Sequence, residues 1–144
     1  ENEDSWEVIF DRILIEKVEP KLGLCRGTVL HDYPLPLAAL ARRSPDDPRM
    51  AERFEVYICG VELANGFGEL SDPVEQRQRF ESDLKKKKAL GMAVYPIDED
   101  FLAALEVGMP SSSGVALGLD RLVMLLVGAN CIQDVIWAPI ITDS

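Results

Sequence analysis

The sequence predicts an α+β fold: a mainly antiparallel β-sheet flanked by helices. Three observations carry this expectation. Two β-patterned runs flank a Cys59-Gly60 dipeptide in the stretch RFEVYICGVELANGFGELSD, and glycine suits the second position of a two-residue hairpin loop because it accepts positive φ. Asp72-Pro73-Val74-Glu75 is a strong helix start, with a capping Asp, a Pro at the first helical position and a Glu three residues on. The strands are separated by short connections and the helices are unevenly placed, which suggests α+β with a mainly antiparallel sheet.

With Cys59 and Gly60 as the loop, Ile58 faces Val61, Tyr57 faces Glu62, Val56 faces Leu63 and Glu55 faces Ala64. Cross-strand partners share a face. Phe54, Val56, Ile58, Val61 and Leu63 are then expected on an apolar face, and Arg53, Glu55, Tyr57, Glu62 and Ala64 on a polar one. Glu55 and Glu62 become diagonal neighbours. Two carboxylates held close repel unless a cation or a proton lies between them. Strict alternation puts Asn65 on the opposite face, and only a bulge near Gly66, or the chain leaving the strand there, brings it round.

The other elements follow in order. Asp4 and Glu7 form a D-x-x-E helix start, and Trp6, Ile9, Phe10, Ile13, Leu14 and Val18 recur at helical spacing, so this helix should bury one face and stop at Pro20. Thr28, Val29 and Leu30 predict a short strand. The segment from His31 to Arg49 holds four prolines and reads as a loop, with one helical turn around Leu37 to Ala41. The helix after Asp72 runs toward Leu90 and ends at Gly91, with a thin stripe of Val74, Phe80, Leu84 and Leu90. Its Lys85 to Lys88 run reads as a solvated helix end favoured by the dipole, with a partner or RNA contact as the lesser alternative. Ile97-Asp98 opens a second helix through Phe101, Leu102 and Leu105 to Gly108. Gly114 to Gly118 reads as a strand, Leu119 to Val127 as a buried helix, and Ile132 to Trp137 as a last strand or half-strand stopped by Pro139.

The 144 residues suffice for a single domain with a real core, and neither an internal repeat nor a linker interrupts them. A net charge of −10 disfavours a chain whose main task is gripping nucleic-acid phosphates and suits a basic protein partner, a cationic small substrate or magnesium. Cys25, Cys59 and Cys131 form no C-x-x-C and read as buried, reduced thiols of a cytosolic protein. The single histidine, His31, reads as a surface loop residue and removes most Ser-His, Cys-His and multi-His metal mechanisms. The longest apolar run is too short to cross a membrane, and the acidic stretch ENEDSW does not read as a signal peptide.

A second constellation is SGVALGLDR, from Ser113 to Arg121. Gly114, Ala116 and Gly118 leave one strand face without bulk, open to a flat ligand or a packed helix. Arg121 then opens a helix with a planar donor suited to phosphate oxygens. Taken singly, small residues more often permit close packing, and paired strand glutamates are more often a solvated face.

Together, VELANGF and GVALGLDRLVML resemble the C-terminal half of class II aminoacyl-tRNA synthetase catalytic domains, in the lysyl-tRNA synthetase subgroup, which includes truncated ligases that act on elongation factor P. Gly114 to Arg121 resembles that class's motif 3. The resemblance spans nearly the whole chain and implies the fold of that catalytic domain. It implies ATP and Mg2+ as cofactors, with Glu55 and Glu62 as metal ligands. Glu62, Leu63, Gly118 and Arg121 would bind ATP, with Glu62 and Arg121 in catalytic roles. Asn65 and Glu69 would read the amino acid, Glu69 pairing the distal ammonium of lysine or β-lysine. The implied reaction is adenylation of that amino acid and its transfer to a lysine of elongation factor P, in the cytoplasm, by a homodimer when full-length; tRNA is the less favoured acceptor.

Two departures bear on these expectations. Ala116 replaces the middle glycine of motif 3, which puts the preferred amino acid in question. Motifs 1 and 2 of the class, including the arginine that clamps the α-phosphate, are absent, so the isolated chain is expected not to form adenylate. Half of a lysyl-tRNA synthetase, or a non-catalytic synthetase-like binding module, are the alternatives.

Overall fold

The structure is a computed structural model that describes residues 5–38 and 40–138. Four strands, β1 (Thr28–Pro34), β2 (Met50–Ile58), β3 (Val61–Gly68) and β4 (Ser113–Leu117), form an antiparallel sheet in the order β1-β2-β3-β4. The helices are α1 (Trp6–Ile13), α2 (Pro73–Ala89), α3 (Glu99–Gly108) and α4 (Leu119–Val127). The expected α+β class holds. The chain divides into two compact units, one holding residues up to Leu30, Glu55–Asn65 and the chain from Val115, the other His31–Phe54 and Gly66–Gly114.

In the first unit the hairpin forms as its sequence demands. Cys59 (φ 53°) and Gly60 (φ 75°) are both left-handed, as a type I′ turn requires. The loop is anchored from outside: Cys59 N–H donates to the Gly23 carbonyl at 2.8 Å and Gly60 N–H to that of Leu22 at 3.1 Å. Gly23 also has positive φ, and a Cβ there would lie 2.6 Å from the carbonyl of Tyr57.

Burial departs from the expected faces. On β2 it is Glu55 and Tyr57 that are buried, whereas Val56 and Ile58 of the expected apolar face are half-exposed. The thiols of Cys25, Cys59 and Cys131 are all exposed, because each sits in a turn or connection and not on a packed face. α1 is capped by the Ser5 side chain; Asp4, read as the cap, lies outside the described residues. Pro20 does not end the helical path, which continues as a π turn over Leu14–Val18 and a 3-10 turn over Glu19–Lys21. Among the described residues the α1 stripe is only partly covered: Trp6, Ile9 and Ile13 are about half exposed, Phe10, Leu14 and Val18 are half-buried, and α4 also has no buried residue. The expected last strand is a 3-10 turn, Ile132–Asp134, and Pro139 lies outside the described residues.

In the second unit β1 runs on through His31 to Pro34, so His31 is an exposed strand residue, its Nδ1 2.7 Å from Asp32. The expected turn comes earlier, as a 3-10 turn over Leu35–Leu37. Ala38, Ala41 and Ala51 form a small-residue core with Leu35 and Phe67 packed on it. Arg79 of α2 reaches under it, donating to the carbonyls of Ala38 and Ala41, each at 2.7 Å. Asp72 caps α2 by accepting from the N–H groups of Val74 (2.8 Å) and Glu75 (3.1 Å), and Gly91 (φ 67°) follows its end. The α2 stripe differs from expectation: Val74 and Leu90 are exposed and Gln76 is buried. α3, capped by Asp98, buries Leu102 and Leu105, each worth roughly 1.5–3 kcal/mol of apolar transfer. Phe80 and Phe101 join α2 to α3 with ring centroids 6.0 Å apart.

Candidate active site

The first unit holds six of the seven residues singled out from the sequence: Glu55, Glu62, Leu63, Asn65, Gly118 and Arg121. The hairpin register sets Glu62 opposite Tyr57, on the strand face that carries Glu55. Asn65 joins that face too. Leu63 and Ala64 are buried in succession, which marks a slip of the side-chain alternation, and beyond it Asn65 Nδ2 donates to Glu55 Oε1 at 3.2 Å. The irregularity the sequence required therefore exists, slightly ahead of Gly66.

β4 delivers the other components. Gly118 N–H donates to the Leu63 carbonyl at 2.9 Å, tying the end of β4 to β3. Gly118 then caps α4, and a Cβ there would press on the Arg121 stem at 3.2 Å. Arg121, in the first turn of α4, donates from Nη1 to the Glu62 carbonyl at 2.6 Å and lies 3.5 Å from the Glu62 carboxylate. Both side chains are about 40% exposed. A guanidinium so placed can exchange one acidic partner for a phosphate at little desolvation cost.

Glu69 belongs to the second unit. Its N–H donates to the Ser112 carbonyl at 3.0 Å, and its carboxylate lies over Gly114 in the space a Cβ would fill. Gly66 is equally constrained, since a side chain there would strike the Phe54 ring and the Gly114 carbonyl. The glycines of both segments thus permit the close approach of β3 and β4.

One participant was missed in the sequence. The Tyr57 hydroxyl donates to Glu55 Oε2 at 2.6 Å, and both side chains are buried. Its spacing from Glu55, two residues along one strand, was the available signal. Among the described residues no group of three or more His, Cys, Asp or Glu side chains is placed to hold a metal ion.

Residues 17–142 match the family model of the tRNA synthetases class II (D, K and N), and the chain belongs to that family. Its relatives include elongation factor P–(R)-beta-lysine ligases. That of Proteus mirabilis (strain HI4320) is 50% identical over 140 residues, covering 97% of this chain and 43% of the relative. That of Edwardsiella ictaluri (strain 93-146) is 52% identical over 136 residues, covering 94% and 42%. That of Klebsiella pneumoniae (strain 342) is 50% identical over 136 residues, with the same coverage. The chain spans less than half the length of these curated relatives.

Proposed function

We propose that this chain forms part of an ATP-dependent ligase that activates lysine or (R)-β-lysine as an aminoacyl-adenylate and transfers it to a lysine of elongation factor P. The observation that carries the proposal is Arg121 on Glu62, beside the Glu55–Asn65 pair, in a chain half identical to ligases of that name. Arg121 would leave Glu62 for the ATP phosphates and stabilise departing pyrophosphate. Leu63 and Gly118 would line the adenosine site. Asn65 and Glu69 would bind the amino acid, with Glu69 taking the distal ammonium through a charge-assisted contact.

The donors fit Mg2+, which takes one or two protein carboxylates with the remaining places filled by water and substrate phosphates. Glu55 and Glu62 would hold it, Glu55 already oriented by Tyr57 and Asn65. Bound there, the ion would neutralise phosphate charge. The protein's own part is positioning, because in-line displacement at phosphorus needs alignment more than a covalent nucleophile.

A protein acceptor is favoured over tRNA by the name of the relatives, which are ligases of elongation factor P. No helix among the described residues is long and apolar enough to cross a membrane, in keeping with a cytoplasmic enzyme. A homodimer is part of this reading for the full-length enzyme.

The test is ATP–pyrophosphate exchange with lysine or (R)-β-lysine, for the chain alone and with the N-terminal portion of a relative supplied. Exchange is expected only in the second case. No exchange and no Mg2+-ATP binding in either case would support a non-catalytic module instead.

A further inference from the structure

We propose that Tyr57 is a positioning residue: its hydroxyl, bonded to Glu55, holds the carboxylate that in turn orients the Asn65 side-chain amide. The role given to Asn65 rests on the function proposed above; the hydrogen-bonded geometry does not. Tyr57 is 1% exposed and Glu55 6%. A buried phenol must find a partner for its O–H, and here that partner is Glu55 Oε2 at 2.6 Å, a short bond for a charge-assisted pair. The second carboxylate oxygen accepts from Asn65 Nδ2 at 3.2 Å.

This arrangement has a directional consequence. An ionised carboxylate only accepts hydrogen bonds, so the NH2 end of the Asn65 amide faces Glu55 and its Oδ1 faces away. Were Glu55 free to rotate, the amide could flip. Tyr57 removes that freedom from the oxygen that Asn65 does not touch. Packing alone does not call for the hydroxyl at position 57, since a phenylalanine ring would fill the same volume. Outer partners of this kind orient the groups that meet the ligand, and removing them lowers affinity or activity roughly 10–100-fold.

The chain contains three asparagines, Asn2, Asn65 and Asn130, so selective 15N-Asn labelling isolates the Asn65 side-chain amide in the intact protein. In Tyr57→Phe, that NH2 pair is expected to shift while the Asn130 pair stays. Glu55→Gln should also move the Asn65 pair, approaching the same contact from the other side. An Asn65 pair unmoved in folded Tyr57→Phe overturns the proposal. The second arm measures KM and kcat for lysine or (R)-β-lysine with the N-terminal portion of a relative supplied. Tyr57→Phe should raise the KM for the amino acid about tenfold or more, and an unchanged KM overturns the proposal while leaving the ligase reading intact. A wild-type protein that uses neither amino acid sinks the ligase reading, and the amide signals then decide the Tyr57 contact alone.

Discussion

Arg121 and Glu62 are joined twice, through the guanidinium to the Glu62 carbonyl at 2.6 Å and to its carboxylate at 3.5 Å. The carbonyl contact fixes the arginine's place, and the longer carboxylate contact is the exchangeable one. Arg121→Ala should therefore separate stability from activity. An exposed pair of this kind contributes about 0–1 kcal/mol, so the melting temperature should barely move. Pyrophosphate exchange, with the N-terminal portion of a relative supplied, should fall roughly 10²–10³-fold. Equal exchange by wild type and variant would remove Arg121 from the reaction.

Gly114 leaves the room that the Glu69 carboxylate occupies. In Gly114→Ala the methyl group must displace that carboxylate, whose Oε1 is the atom nearest the added Cβ. The KM for the lysine-type amino acid should rise about tenfold, and the ATP KM should change little. A selective rise in the ATP KM would place Glu69 elsewhere in the reaction.

Gly23 combines positive φ with a Cβ position 2.6 Å from the Tyr57 carbonyl. Left-handed backbone costs a non-glycine residue roughly 1–2 kcal/mol before any clash. Gly23→Ala should destabilise the protein by about 2 kcal/mol or more, read by urea denaturation. A variant within about 0.5 kcal/mol of wild type would show that the hairpin anchor yields.

Leu102 is 1% exposed on α3. Leu102→Ala should cost about 2–5 kcal/mol through lost transfer energy and the cavity left behind. Val107→Ala, at a position 90% exposed on the same helix, should be nearly neutral. Comparable losses at both sites would contradict the assigned burial.

Arg77 grips Glu99 with both guanidinium nitrogens, at 3.0 and 2.5 Å, and these hydrogen bonds hold the Glu99 carboxyl below its ordinary value of 4.5. A carboxyl with a depressed folded-state pKa stabilises the protein above its unfolded pKa and stops doing so as pH falls through the folded value. Glu99→Gln should therefore lower the melting temperature slightly at pH 7, and the difference should vanish below the folded pKa. Added salt should shrink it at pH 7, since both groups are exposed. A difference that grows on acidification would refute the assignment.

Local chemistry was legible in the sequence. The Asp72 cap, the Asp98 cap and the Cys59-Gly60 turn each depend on a few adjacent residues, whose backbone preferences act wherever the chain goes. The pairing of Tyr57 with Glu62 followed from that turn by alternation alone. Asn65 was harder, because one slipped residue reverses every side chain beyond it, and no short-range signal marks where the slip falls.

What the sequence determined by itself was therefore the starts of α2 and α3 and the hairpin. Only the tertiary structure decided which faces are buried. Apolar spacing in α1 and α4 announced a buried stripe, yet burial needs a covering surface, and no residue of either helix is buried. Glu55 and Tyr57 went the other way, a carboxylate and a phenol drawn inside because each satisfies the other. Burial and hydrogen bonding depend on what the rest of the chain brings alongside, which periodicity does not encode.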